Sequence, residues 1–247
     1  MEGEQRTDSF LDLNPAGLVP VIKEGEEFVL FESAAIAAYI VNSRGKGQTL
    51  EWYPADPKTR ALVDAYMQLF HSVLGSSGKA FFYTVGPKLF GLPPKPEFYA
   101  EQVKEGVEMA VAAAARIDAD LKRRESMFIA GTVAPTIADL QWFQAFAQLY
   151  SLELINDEMF SGKIAFLEWY AAIDERPSSA SVLKYVRQTA SDCLEKKGVF
   201  AEATEEEGED DDAAAAAADA KKGKKADKDG KKKAPKAKGG KAKGKKK

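Results

Sequence analysis

Val19-Pro20 and Glu32-Ser33 are the two dipeptides of this 247-residue chain whose types and spacing could do chemistry. The first places in a short β-rich run, Val19 to Ile22, a residue with no N–H to give to a ladder. The second opens a helical run, and the first turn of a helix carries unpaired N–H groups and the positive end of the dipole, which attract a carboxylate. A serine hydroxyl there is a further donor. Taken singly, each has an ordinary structural use: Pro20 marks an edge strand and Ser33 is an N-cap. Other reactive side chains are scarce. His71 is the only histidine and Cys193 the only cysteine, so this chain supplies neither a four-ligand zinc site nor an intrachain disulfide. One cysteine fits a reducing compartment.

The elements that must position these residues are legible in the pattern. Val19 to Ile22 and Phe28 to Phe31 flank "KEGEE", in which Gly25 supplies the turn of a hairpin. Ser33 to Val41 reads as a short helix whose alanines, isoleucines and tyrosine can face a sheet. "NSRGKGQ" reads as a linker. From Pro54 the pattern is helical. Asp56 is the expected N-cap and Pro57 the first residue of a helix with Leu62, Tyr66, Leu69, Phe70 and Val73 on one face. "GPKLFGLPPKP" is expected to break the pattern before a long helix carrying Val103, Val107, Ala110, Ala114, Ile117 and Leu121. In "GTVAPTIADL", Thr136 and Asp139 have the spacing of a capping box. Helices around Phe166 to Ile173 and Val182 to Leu194 follow, with Pro177 between them.

Charge is unevenly placed. Residues 1–200 carry 20 Lys and Arg against 27 Asp and Glu, whereas residues 201–247 carry 15 Lys against 11 acids. From Ala201 onward there is no aromatic, branched aliphatic or methionine side chain, so a charged, disordered tail is expected there. Lys221 to Lys247 offers nonspecific contact to nucleic acid through its phosphates, with no arginine or aromatic to read or stack on bases; the alternative is a solubilising tail whose acidic and basic halves partly neutralise each other. "MEGEQRTDS" lacks the apolar core of a signal peptide, and no apolar run reaches the roughly 18 residues of a membrane span. A cytoplasmic location with no membrane partner is the expectation.

"NPAGLVPVI" with "LFESAAIAAYI" resembles the second half of the thioredoxin-like domain of cytosolic glutathione S-transferases. "GTVAPTIADL" resembles that family's capping motif in its helical domain, and "WYPADPKTRALVDAYMQLFH" is most similar to the theta class. The resemblance covers residues 2–195. It implies an α+β chain: a partial thioredoxin-like domain over residues 1–43, a linker over 44–56, an all-helical domain over 57–200, and the tail over 201–247. It also implies glutathione as co-substrate, no metal, conjugation to an electrophilic small molecule in detoxification, and a homodimer.

The same resemblance assigns residues. Val19, preceding a cis proline at Pro20, would offer its backbone N–H and C=O to the tripeptide as an added strand. Ser33 and the helix N-terminus would take the γ-glutamyl carboxylate, Glu32 the ammonium, and Gln5 the glycyl end. Tyr66, Phe70, His71 and Leu74, with Gly86 to Phe90, would line the second-substrate pocket, His71 in a packing rather than a catalytic role. Leu18 stands where relatives often carry a lysine, and no arginine follows His71 before Lys79. The family's first strand-helix-strand unit, about 30 residues or more, with its catalytic serine, is expected upstream of "EGEQRTDSF". The reading therefore expects the sequence to be truncated at its N-terminus and names no catalytic residue, Ser9 belonging to a different element. The alternative is a non-catalytic, transferase-like scaffold or translation-associated module with a basic tail.

Overall fold

The computed structural model describes residues 3–195 except Pro94. The chain divides into Met1–Lys197 and Gly198–Lys247, and the expected charged tail lies outside the described residues.

A short helix α1 (Asp8–Leu11) leads through a loop into strand β1 (Val21–Glu24), which pairs antiparallel with β2 (Phe28–Phe31). Gly25 opens the connection at φ 64°, the left-handed region that glycine enters without steric cost. The expected first strand, Val19 to Ile22, is shifted toward Glu24. Pro20 has no N–H for the ladder, so pairing begins after it, at Val21 opposite Phe31. Helix α2 (Ser33–Arg44) then runs back along the hairpin, burying Ile36 and laying Ala34, Ala37, Ala38 and Val41 against the helical core. Residues 44–56, expected as an open linker, include a 3-10 helix over Gly47–Trp52 whose Trp52 also packs on that core.

Six further helices follow: α3 (Pro57–Val73), α4 (Gly78–Leu89), α5 (Pro96–Arg124), α6 (Ile137–Ser151), α7 (Ile164–Asp174) and α8 (Pro177–Glu195). Asp56 caps α3 by accepting from the Thr59 amide at 2.8 Å, and Pro57 sits at its first position. The expected break at "GPKLFGLPPKP" falls later: α4 continues through Gly86 and Pro87 to Leu89. Its buried face, Ala80, Val85 and Gly86, explains why the helix persists across a proline. Gly106 of α5 lies so close to α4 that an added Cβ would stand 2.8 Å from the Ala80 Cβ. Packing of α4 on α5 at Ala80, and of Val85 with Leu152, Ala190 and Cys193, therefore outweighs the local breaker signal. Pro177, expected between helices, is the first residue of α8.

The centre is aromatic. Trp142, Phe146, Phe160, Phe166 and Trp169 are all fully buried, each stabilising by about 1.5–3 kcal/mol relative to exposure. Both indole N–H groups are satisfied: Trp142 donates to the Tyr66 carbonyl at 2.9 Å and Trp169 to Asp139 Oδ1 at 2.9 Å. The capping box forms as expected, Asp139 Oδ2 accepting from the Thr136 amide and hydroxyl, both at 2.8 Å.

Asp120 ties α5 to α3. Its Oδ2 accepts from the Tyr66 hydroxyl at 2.9 Å and Arg116 Nε at 2.7 Å, and its Oδ1 from Arg123 Nη2 at 2.7 Å. Burial alone would lift its pKa, but the hydrogen bonds from Arg123, Arg116 and Tyr66 hold it below the ordinary value. A lowered folded pKa contributes stability that is complete above the free-aspartate value of about 4 and is lost as pH falls through the folded value. Asp120→Asn is therefore expected to be less stable than wild type at neutral pH, with the difference shrinking below about pH 4. Urea midpoints measured across that range check it.

Candidate functional site

Asn14 builds the approach to β1. It is buried; its Nδ2 donates to the Leu18 carbonyl at 2.8 Å, and its Oδ1 accepts from the Ala16 amide at 3.2 Å. The loop it closes delivers Leu18 and Val19 to the surface, 58% and 70% exposed. The Val19-Pro20 bond is cis. Among the described residues no backbone hydrogen bond engages the amide or carbonyl of Val19. The paired register ends at Val21 and Phe31, so Val19, two residues before it, and Ser33, two residues after it, lie at the same end of the hairpin.

The other feature of this end is the start of α2. Glu32, not Ser33, is the N-cap residue, and its side chain makes no capping hydrogen bond. Ser33 is the first helical residue, so the N–H groups of the first turn have no acceptor within the helix. Glu32 stands at φ 70°, ψ 113°, a conformation that costs a non-glycine residue about 1–3 kcal/mol. Both Glu32 and Ser33 are exposed. At the far end of the hairpin the Tyr39 hydroxyl donates to Glu24, holding that carboxyl below its usual pKa range, and Arg44 pairs with Glu24 at 3.1 Å. These contacts fix α2 against β1. One end of the hairpin thus presents an unpaired extended backbone, an uncapped helix N-terminus, a hydroxyl and a carboxylate.

Gln5 reaches the same loop. It sits in a 3-10 turn, Glu4–Arg6, packed on Gly17, where an added Cβ would lie 3.0 Å from the Gln5 carbonyl and 2.8 Å from Arg6 Nη1. Gly17 has φ 61°, so both its conformation and its neighbours require glycine. Ser9 lies on α1, exposed and bonded to Thr7 at 3.2 Å.

The four residues expected to line a second-substrate pocket divide. Tyr66 is 5% exposed and its hydroxyl is committed to Asp120; Leu74 is fully buried in the helical core. Neither is exposed to solvent enough to line a cleft. Phe70 is half-buried between Trp142 and His71, with ring centroids 5.9 and 5.4 Å away, and His71 is exposed. Leu89 and Phe90, at the end of α4, are 42% and 37% exposed. The sequence reading missed Asn14, whose only local signal was an Asn-Pro turn, and Asp120, which looks like one charge among many on α5.

A family profile described as the glutathione S-transferase N-terminal domain matches residues 1–43. Rat glutathione S-transferase theta-1 is 30% identical over 176 residues, covering 70% of this chain and 68% of the relative. The chain belongs to the glutathione S-transferase family. Within the family it is theta-like. Mouse glutathione S-transferase theta-3 is 39% identical over 107 residues, 42% of this chain and 43% of the relative. Dichloromethane dehalogenase of Methylorubrum extorquens is 30% identical over 174 residues, 70% of this chain and 58% of the relative. The chain thus spans about half the length of these last two relatives. Among solved structures, human glutathione transferase theta-2, in complex with glutathione and an unknown ligand, superposes with a TM-score of 0.64 at 23% identity, covering 79% of this chain and 77% of that one. Poplar glutathione transferase F1 gives 0.60 at 26% identity, covering 76% and 82%. The hairpin, α2 and the helical domain are therefore parts of a glutathione transferase fold. No helix among the described residues is long and apolar enough to cross a membrane.

Proposed function

We propose that this theta-like transferase binds glutathione at the N-terminus of α2 and conjugates it to electrophilic small molecules. The observation that carries the reading is that the unpaired Val19 backbone, beside Pro20, and the uncapped first turn of α2 stand at the same end of the hairpin. Val19 adds the tripeptide backbone as a strand. The α2 N–H groups and the Ser33 hydroxyl take its γ-glutamyl carboxylate, Glu32 its ammonium, and Gln5 its glycyl end. Phe70 and His71 face the second substrate. The protein works as a soluble, cytoplasmic homodimer without a metal. No residue of this sequence is assigned to activating the thiol.

Full-length protein incubated with glutathione and an aryl halide should form the S-conjugate faster than the uncatalysed background, read by mass spectrometry. A rate equal to background would overturn conjugation while leaving binding to be judged separately. A second reading, a docking scaffold, rests on the lysine-rich stretch Lys221 to Lys247. It requires that nucleic acid be retained at moderate salt, whereas contacts made only through phosphates weaken steeply as salt rises.

A further inference from the structure

A groove of about 580 Å³ opens between α6, α7 and α8, and none of its lining residues belongs to the hairpin, α2 or α3. Its volume is in the range of small-molecule sites. One wall is aromatic: the Tyr150 and Tyr170 rings lie 4.7 Å apart at 38°, with Leu167 beside them. Tyr170 is backed in turn by Phe143, 4.9 Å away, which fixes its plane.

The polar rim is strongly of one sign. Arg187 Nη2 donates to Asp174 Oδ1 at 2.9 Å, so the one cation among the described lining residues is already paired. Asp157 is held in place by the Tyr150 hydroxyl, which donates to it at 2.9 Å. Glu168 and Glu175 also line the groove and form no ion pair among the described residues. Burial and the neighbouring aspartates push both tyrosine hydroxyls up from their ordinary pKa, so both rings stay neutral phenols. The three carboxylates come from two segments, Asp157 from the Asp157–Phe160 turn and Glu168 and Glu175 from α7 and its C-cap.

Aromatic side chains beside carboxylates with no ion-pair partner among the described residues select a cation, and an apolar wall selects one carried on a methylene stem. We infer that this groove binds an alkyl ammonium group, presented either by a lysine side chain of a peptide or by a free alkyl diamine. The rings and Leu167 cover the stem; Asp157, Glu168 and Glu175 receive the charged head.

The test titrates full-length protein by calorimetry at physiological ionic strength with cadaverine, with Nα-acetyl-lysine amide and with pentanol as the uncharged analogue. Saturable binding of either ammonium compound, absent for pentanol, is expected, and the tighter of the two identifies the source. The double variant Glu168→Gln/Glu175→Gln, both positions exposed, should keep the wild-type melting temperature and bind at least about tenfold more weakly. Unsaturable heats, equal binding of pentanol, or unchanged affinity in the double variant would overturn the inference. Neither probe is glutathione and no variant touches α2, so the outcome is independent of the transferase reading.

Discussion

Asp139→Ala is expected to destabilise the protein by about 3–5 kcal/mol, as measured by urea denaturation. The carboxylate is completely buried and accepts four hydrogen bonds: the Ile129 amide at 3.0 Å and Trp169 Nε1 at 2.9 Å on one oxygen, the Thr136 amide and hydroxyl at 2.8 Å on the other. Burial pushes its pKa up, and the four donors work against that. Alanine would leave all four donors in a dry interior without an acceptor, at about 1–3 kcal/mol each before relaxation. The loss is a large fraction of the roughly 5–15 kcal/mol that holds a domain together, so poor soluble yield is the accompanying result. Asp139→Asn keeps two acceptor sites and should recover part of the loss. A shift below about 1 kcal/mol for the alanine variant would mean that water or a rearranged loop satisfies the donors.

Ser33→Ala is expected to weaken glutathione binding about 10- to 100-fold, the worth of a hydrogen bond to a charged group of about 1.5–3 kcal/mol, while leaving the melting temperature unchanged. The second half of that expectation separates the two uses a serine can have at a helix start. An N-cap serine supports the helix, and its removal costs about 1 kcal/mol of stability. Here Glu32 occupies the N-cap position, Ser33 is the first helical residue, and no side chain caps the turn. The hydroxyl is thus available to a ligand rather than to the fold. Titration calorimetry and a thermal melt on the same variant read both quantities. Unchanged affinity with a lowered melting temperature would return Ser33 to a purely structural role.

What could be read from the sequence was what is local. The hairpin, the Asp56 cap and the Thr136–Asp139 box depend on residues within a few positions of each other, and all three formed. The Val19-Pro20 and Glu32-Ser33 pairs could be singled out by type and spacing, and the structure places both at one end of the hairpin, beyond the last paired residues Val21 and Phe31. Long-range packing was hidden. Periodicity shows that one face of α3 is apolar, not which residues another helix covers; the partner of Tyr66 is 54 residues away on α5. Leu74 was misread for the same reason. Gly86-Pro87 looks like a helix end, but burial of Val85 with Leu152, Ala190 and Cys193, together with the close approach of α5 at Ala80, keeps α4 intact. Asp139 reads as a cap, while its bond to Trp169, 30 residues on, is what makes it central to the core.

The most direct test of the account is calorimetric titration of glutathione into the full-length protein. Saturable binding at or below millimolar concentration, lost by at least about tenfold in Ser33→Ala, is the predicted result and would establish the α2 N-terminus as the glutathione site. No binding at millimolar glutathione, in protein that melts cooperatively, would contradict it.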